Sequence, residues 1–209
     1  MLPPTRLRFR ALHALVLRLA RTAALAVRLV AFVAACGSAA PAVSFAPSGP
    51  CDGSGRAAGT YPELEALLPA EYEGAAPDGT DSGRSCTSDV LGVLADRGVT
   101  DMRFAGTTWD LGTGRALTLA VFEGDGVTPE AMIAFYENGA RKGRRTERLA
   151  TRDTTVAGRP ARRLDVLWAS SAQSIVAWPD ASGERTLVLL AADLGDTAVL
   201  DALTQFGDR

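Results

Sequence analysis

Histidine is nearly missing from this sequence. The only one, His13, lies in a basic N-terminal stretch, and none follows it. A domain built from the later residues therefore has no Ser-His-Asp or Cys-His machinery and no histidine-ligated zinc or iron site. Lysine is almost as scarce. Lys142 stands alone, outside any Ser-x-x-Lys arrangement. The phosphate-loop signature is absent, because Gly112-Thr113-Gly114 is not followed by Gly-Lys. Acidic residues in the loop 70–85 lack the alternation of a calcium-binding EF-hand loop. Carboxylates such as Glu71, Glu73, Asp110, Glu123 and Asp165 are available, but no spacing marks two of them as a catalytic pair. The residues call for no metal, no cofactor and no catalytic group.

Long apolar runs are lacking too. The run after Arg28 is seven residues, too short to cross a bilayer. Extending it back to Leu12 would place Arg18, Arg21 and Arg28 in hydrocarbon, at several kcal/mol each. Residues 1–28 hold six arginines and no acid. A basic region followed by a short apolar one is a targeting segment, excluded from the fold.

The segment ends in Val33-Ala34-Ala35-Cys36. These four residues resemble the lipobox of bacterial lipoproteins, with a branched apolar residue three before the cysteine and small residues between. The resemblance implies cleavage after Ala35, a diacylglycerol on the Cys36 sulfur, and a protein held at the extracytoplasmic side of the cell membrane. Two acyl chains, at about 0.8 kcal/mol per buried CH₂, anchor a protein without a transmembrane helix. The alternative is a plain signal peptide cut near Ala39–Ala42, with Cys36 discarded.

Setting aside those six arginines leaves 16 basic residues against 24 acidic ones, a net near −8. Such a surface does not suit nucleic acid. The partners it suits are the membrane, through the anchor, and an envelope protein, lipid or glycan. With Cys36 assigned to lipid, Cys51 and Cys86 remain as a pair. In an oxidising compartment they are expected to form a disulfide. It closes a loop of about 36 residues, worth about 4 kcal/mol in the chain-entropy model. A free catalytic thiol would need a base that is not present.

Residues 37–60 are Ala, Ser, Pro and Gly with little to bury, and read as the rest of a tether spanning 36–60. The domain is then 61–209. Tyr61-Pro62-Glu63 opens a short helix, and 70–85 reads as turn material. A second helix follows Ser88. Strands are expected at 101–109 and 115–123, then a helix from the capping sequence Thr128-Pro129-Glu130, with Met132, Phe135 and Tyr136 on one face. Four more strands fall at 146–152, 161–168, 173–178 and 185–191, and a last helix presents Val199, Leu200, Leu203 and Phe206. The expected fold is α+β, an antiparallel sheet of about five to six strands with helices packed on one face. The strand-strand-helix units 101–138 and 173–206 hint at two similar halves. This outline is similar in build to small envelope lipoproteins of actinobacteria.

Two surfaces are candidate sites. Nine basic residues crowd 141–163: Arg141, Lys142, Arg144, Arg145, Arg148, Arg152, Arg159, Arg162 and Arg163, opposed only by Glu147 and Asp153. They form either a solvated face or a contact for anionic headgroups or envelope polymer. Trp109, Trp168 and Trp178 either line a pocket or belong to the core, as the alternation around them suggests. The function expected is non-catalytic: binding or accessory work by a membrane-anchored domain. The alternatives are an interaction domain using the basic face and a carboxylate-dependent envelope hydrolase.

Overall fold

The computed structural model describes residues 47–209, apart from 52, 144 and 145. Cys36 and the targeting segment lie outside the described residues, as do Arg144 and Arg145. The elements run β1 (Gly55–Ala57), α1 (Pro62–Glu65), β2 (Gly79–Ser85), α2 (Ser88–Leu91) continued by a 3₁₀ turn (Gly92–Arg97), β3 (Met102–Asp110), β4 (Ala116–Glu123), α3 (Pro129–Lys142), β5 (Thr146–Val156), β6 (Arg159–Trp168), β7 (Ser171–Pro179), β8 (Thr186–Ala192) and α4 (Asp196–Phe206). All eight strands form one antiparallel sheet, in the order β1-β2-β3-β4-β8-β7-β6-β5. Two four-stranded meanders meet where β4 pairs with β8, Leu119 opposite Leu189. No described helix is long and apolar enough to cross a membrane.

The expectation of five to six strands is corrected to eight. The two additional strands are β1 and β2, inside stretches read as tether and turn. β2, GTDSGRS, offers no apolar side chain. It is held by hydrogen bonds instead. Buried Ser82 accepts from the Tyr61 backbone N–H at 2.8 Å and donates to Glu65 Oε1 at 2.7 Å. β1 fits against β2 because residue 83 is glycine. A Cβ there would stand 2.3 Å from the Gly55 carbonyl oxygen and 2.8 Å from the Phe104 ring. The Cys51–Cys86 disulfide, with Cα atoms 5.9 Å apart, ties this edge together. The folded unit thus takes in residues expected to belong to the tether.

The helices do not share one face, which is a second correction. Leu117, Leu119 and Val121 of β4 face a core completed by Leu64 of α1 and by Val199, Ala202, Leu203 and Phe206 of α4. Alternate residues Ala120 and Phe122 face the other way, against Leu91 and Leu94 near α2 and Ala131, Met132 and Ile133 of α3. A strand apolar on both sides needs cover on both sides, and each fully buried Leu, Val or Phe contributes about 1.5–3 kcal/mol. On the α4 side Tyr72, Trp109 and Phe206 pack ring on ring, with centroids 5.5–5.9 Å apart. Such pairs add about 0.5–1.5 kcal/mol beyond burial.

Local chemistry fixes the remaining elements. Thr128 caps α3, its hydroxyl accepting from the Ala131 N–H at 3.2 Å, with Pro129 in the first turn. The β5–β6 hairpin turns on Ala157 and Gly158, both at positive φ, as a two-residue hairpin loop requires.

Candidate functional site

The described members of the basic run do not form a single cationic surface. Strand alternation sends its members to both faces, and most meet an acid or a carbonyl. Arg162 pairs with Asp153 at 2.6 Å, Arg152 with Asp165 at 2.7 Å, and Arg141 with Glu137 one helical turn away. Arg159 donates to the Gly207 and Arg209 carbonyls at the end of α4. Arg163 is buried and joins β6 to the start of α4. It bonds Asp165 at 2.8 Å, Ser174 at 3.0 Å, and Asp196. Burial opposes the Arg163 charge, but the bonds to Asp196 and Asp165 outweigh it and hold its pKa above the ordinary value. The same contact holds Asp196 below the ordinary carboxylate value. Among the described members Lys142, Arg148 and Arg159 lack an ion pair, and Arg159 is held by carbonyls instead. The expected basic face is therefore mostly internal pairing.

The three tryptophans do not share a pocket either. Trp109 and Trp178 are 1% and 0% exposed, within the core under α4. Trp168 is half-buried on the opposite face of the sheet. Its position is built by a relay at the end of α3. Trp168 Nε1–H donates to Thr146 Oγ1 at 3.1 Å, and that hydroxyl donates to the Ala140 carbonyl at 2.6 Å. Gly143 makes room for the relay, since a Cβ there would stand 3.0 Å from the Ala140 oxygen and 3.2 Å from Thr146 Oγ1.

A polar cleft of about 440 Å³ opens at one end of β3, β4 and β8, lined by Asp101, Arg103, Glu123 and Arg185. Asp125 and Glu184 also line it, outside any ion pair among the described residues, while its other charges are spent on ion pairs. Arg84 holds Asp101 at 2.8 Å; Arg103 and Arg185 both reach Glu123; Arg185 also reaches Asp180 at 3.4 Å. The Arg84 guanidinium holds Asp101 below the usual carboxylate range. Burial pushes Asp180 up, but bonds from Ser182 and the Arg185 and Gly183 N–H groups overcome it and leave Asp180 low. A general acid at neutral pH needs a raised carboxyl pKa, and Asp101 is shifted the other way. The ion pairs fasten the strand ends.

The most receptive surface lies against α3, on the sheet face opposite α4. Two hollows meet there at Tyr136, which lines both. The first, about 460 Å³, has a floor of small side chains, Gly106, Ala120, Thr108 and Thr118, with Phe104 as a wall. The Thr108 and Thr118 hydroxyls bond each other at 2.9 Å, and the Arg56–Asp81 pair stands at the rim. The second, about 440 Å³, is lined by Phe135, Tyr136, Trp168 and Ile175, with Asn138, Gln173, Asp89 and Lys142 around them. Leu190 of the first hollow is the register partner of Ile175 in the second. Val90, at the edge of the second, is 47% exposed. Burial pushes the Tyr136 phenol far above its ordinary pKa, so it is a neutral donor and acceptor. Apolar hollows with a few convergent polar groups are what small-ligand sites consist of.

Sequence reasoning placed Phe135 and Tyr136 on the buried face of α3 and did not single out Asn138 or Gln173. The buried residues of α3 are Ala131, Met132 and Ile133, all in its first half. The aromatic pair beyond them is the signal that could have been read. Among the described residues no group of His, Cys, Asp or Glu side chains is placed to hold a metal ion. Comparison with known proteins finds no match, whether among family models, curated proteins or solved structures.

Proposed function

We propose that this chain is an exported lipoprotein, held at the extracytoplasmic side of the cell membrane by a diacylglycerol on Cys36, whose domain binds a ligand rather than catalysing a reaction. The observation that carries export is the Cys51–Cys86 disulfide. Structural disulfides persist in oxidising compartments and are rare where thiols are kept reduced. The lipobox resemblance of Val33–Cys36 supplies the anchor. The chain between Cys36 and the first described residue, Pro47, is Gly, Ser, Ala, Pro and Val with one Phe, a composition suited to a spacer.

Binding is supported by the groove along α3; in the polar cleft Asp101 and Glu123 are spent on arginine. The groove is preferred to the two surfaces suggested by sequence, because most of the described arginines of the basic run are paired internally and two of the three tryptophans are core.

Fractionation of cells tests the location. Wild-type protein should sediment with membranes, and the Cys36→Ala variant should appear in the soluble or secreted fraction. Equal retention of the variant would sink the anchor.

A further inference from the structure

We propose that the hollow at the C-terminal half of α3 is a saccharide subsite, taking a neutral pyranose unit of an oligosaccharide. The inference rests on the binding reading above and gives it a ligand class. A pyranose has apolar C–H faces and a rim of hydroxyls, each both donor and acceptor. The hollow carries both halves of the complement. Phe135, Tyr136 and Trp168 supply aromatic surface. Trp168 is already oriented, because its indole N–H is committed to Thr146, so its ring serves as a fixed wall.

The polar half is uncommitted. The side-chain amides of Asn138 and Gln173 and the Tyr136 hydroxyl make no hydrogen bond among the described residues, although all three are partly buried and line the hollow. Each amide brings two N–H donors and a carbonyl acceptor, and the neutral phenol brings one donor and an acceptor. By contrast the polar groups of Ser82, Thr108 and Arg163 are paired. The charges at the rim, Asp89 and Lys142, are one of each sign, which suits a neutral ligand. An acyl chain would use the aromatic surface and leave the amides and the phenol unpaired in an apolar contact, the costly arrangement. Among the described lining residues a free anion would find a single cation, Lys142. The volume, about 440 Å³, lies in the range of small-ligand sites.

The test uses the disulfide-bonded domain titrated with maltohexaose, cellohexaose and chitohexaose, followed by the indole N–H resonances. Trp109 and Trp178 are sealed in the opposite core, so the proposal expects saturable shifts at Trp168 alone with at least one of the three sugars. Gln173→Ala and Asn138→Ala should each weaken that binding about tenfold. Leu200→Ala, on the exposed side of α4 across the sheet from the groove, should leave it unchanged. Unchanged thermal unfolding of the variants would show that they fold. No saturable Trp168 shift with any of the sugars would overturn the proposal. So would binding that survives both amide substitutions, or Trp168 shifts produced by phosphatidylglycerol vesicles and not by sugar. Failure here, with Cys36-dependent membrane retention intact, would remove the saccharide and leave the location standing.

Discussion

Breaking the Cys51–Cys86 link should cost this domain a large part of its stability, and the amount follows from where the link sits. The two cysteines are 35 residues apart and enclose β1, α1 and β2. Constraining a loop of that length in the unfolded chain is worth about 4 kcal/mol in the chain-entropy model. Typical domains have a total stability of about 5–15 kcal/mol. Little else holds the enclosed edge. β1 has three residues paired with β2, from Gly55 opposite Arg84 to Ala57 opposite Ser82. The chain before it is tied by Tyr61 donating to the Pro47 carbonyl at 2.9 Å and Arg84 donating to the Gly49 carbonyl at 2.9 Å. The perturbation is the double variant Cys51→Ser with Cys86→Ser, compared with wild type in urea unfolding. The expected loss is about 4 kcal/mol, or about 8–16 °C in Tm for a domain of this size. A loss under about 1 kcal/mol would refute the entropic reasoning. A full loss in native-state β1–β2 pairing at unchanged unfolded-chain dimensions would also contradict it, because the link would then act on the folded sheet.

Two further predictions concern the same end of the sheet. Gly83→Ala should destabilise by about 1–3 kcal/mol and expose the β1 amides to exchange, because the new Cβ meets backbone at 2.3 Å; urea unfolding and hydrogen exchange on β1 check it, and a neutral result would mean that β1 is not packed as described. In acid, Asp101 and Asp180 are both held below the ordinary carboxylate value. Their contribution is present above the unfolded value near 3.9 and is lost as pH falls through the lower folded values. Tm should therefore decline below about pH 4, and Asp101→Asn should flatten that decline; an unchanged acid limb in the variant would show that the Arg84 contact does not carry it.

The sequence is legible where burial is apolar and opaque where it is not. Five strands announce themselves mainly through Leu, Val, Ile, Phe and Trp, and β5, TERLATRDTTV, through its place before the β6 pattern. β2 does not, because its buried side chains are those of the small Ser82 and Ser85, and Ser82 is held by hydrogen bonds. β1 is short and exists only because Gly83 permits the approach. Helices on both faces were implicit in β4, where Leu117, Leu119 and Val121 alternate with Ala120 and Phe122, all of them demanding cover. The disulfide followed from counting cysteines. The ion pairs across β5, β6, β7 and α4 could not be read from the basic run itself, since Arg163 finds Asp196 thirty-three positions away. The groove was hidden for a similar reason: α3, β6 and β7 contribute to it from segments that only the folded sheet brings together. Trp168 was noticed, but its companions Asn138 and Gln173 carry no local pattern.

The central claim, a lipid on Cys36, is tested most directly by the mass of the mature N-terminal peptide from membrane-extracted protein. The account predicts a peptide that begins at Cys36 and carries a diacylglyceryl thioether. An unmodified N-terminus near Ala39–Ala42, or intact sequence running through Ala35 and Cys36, would contradict it.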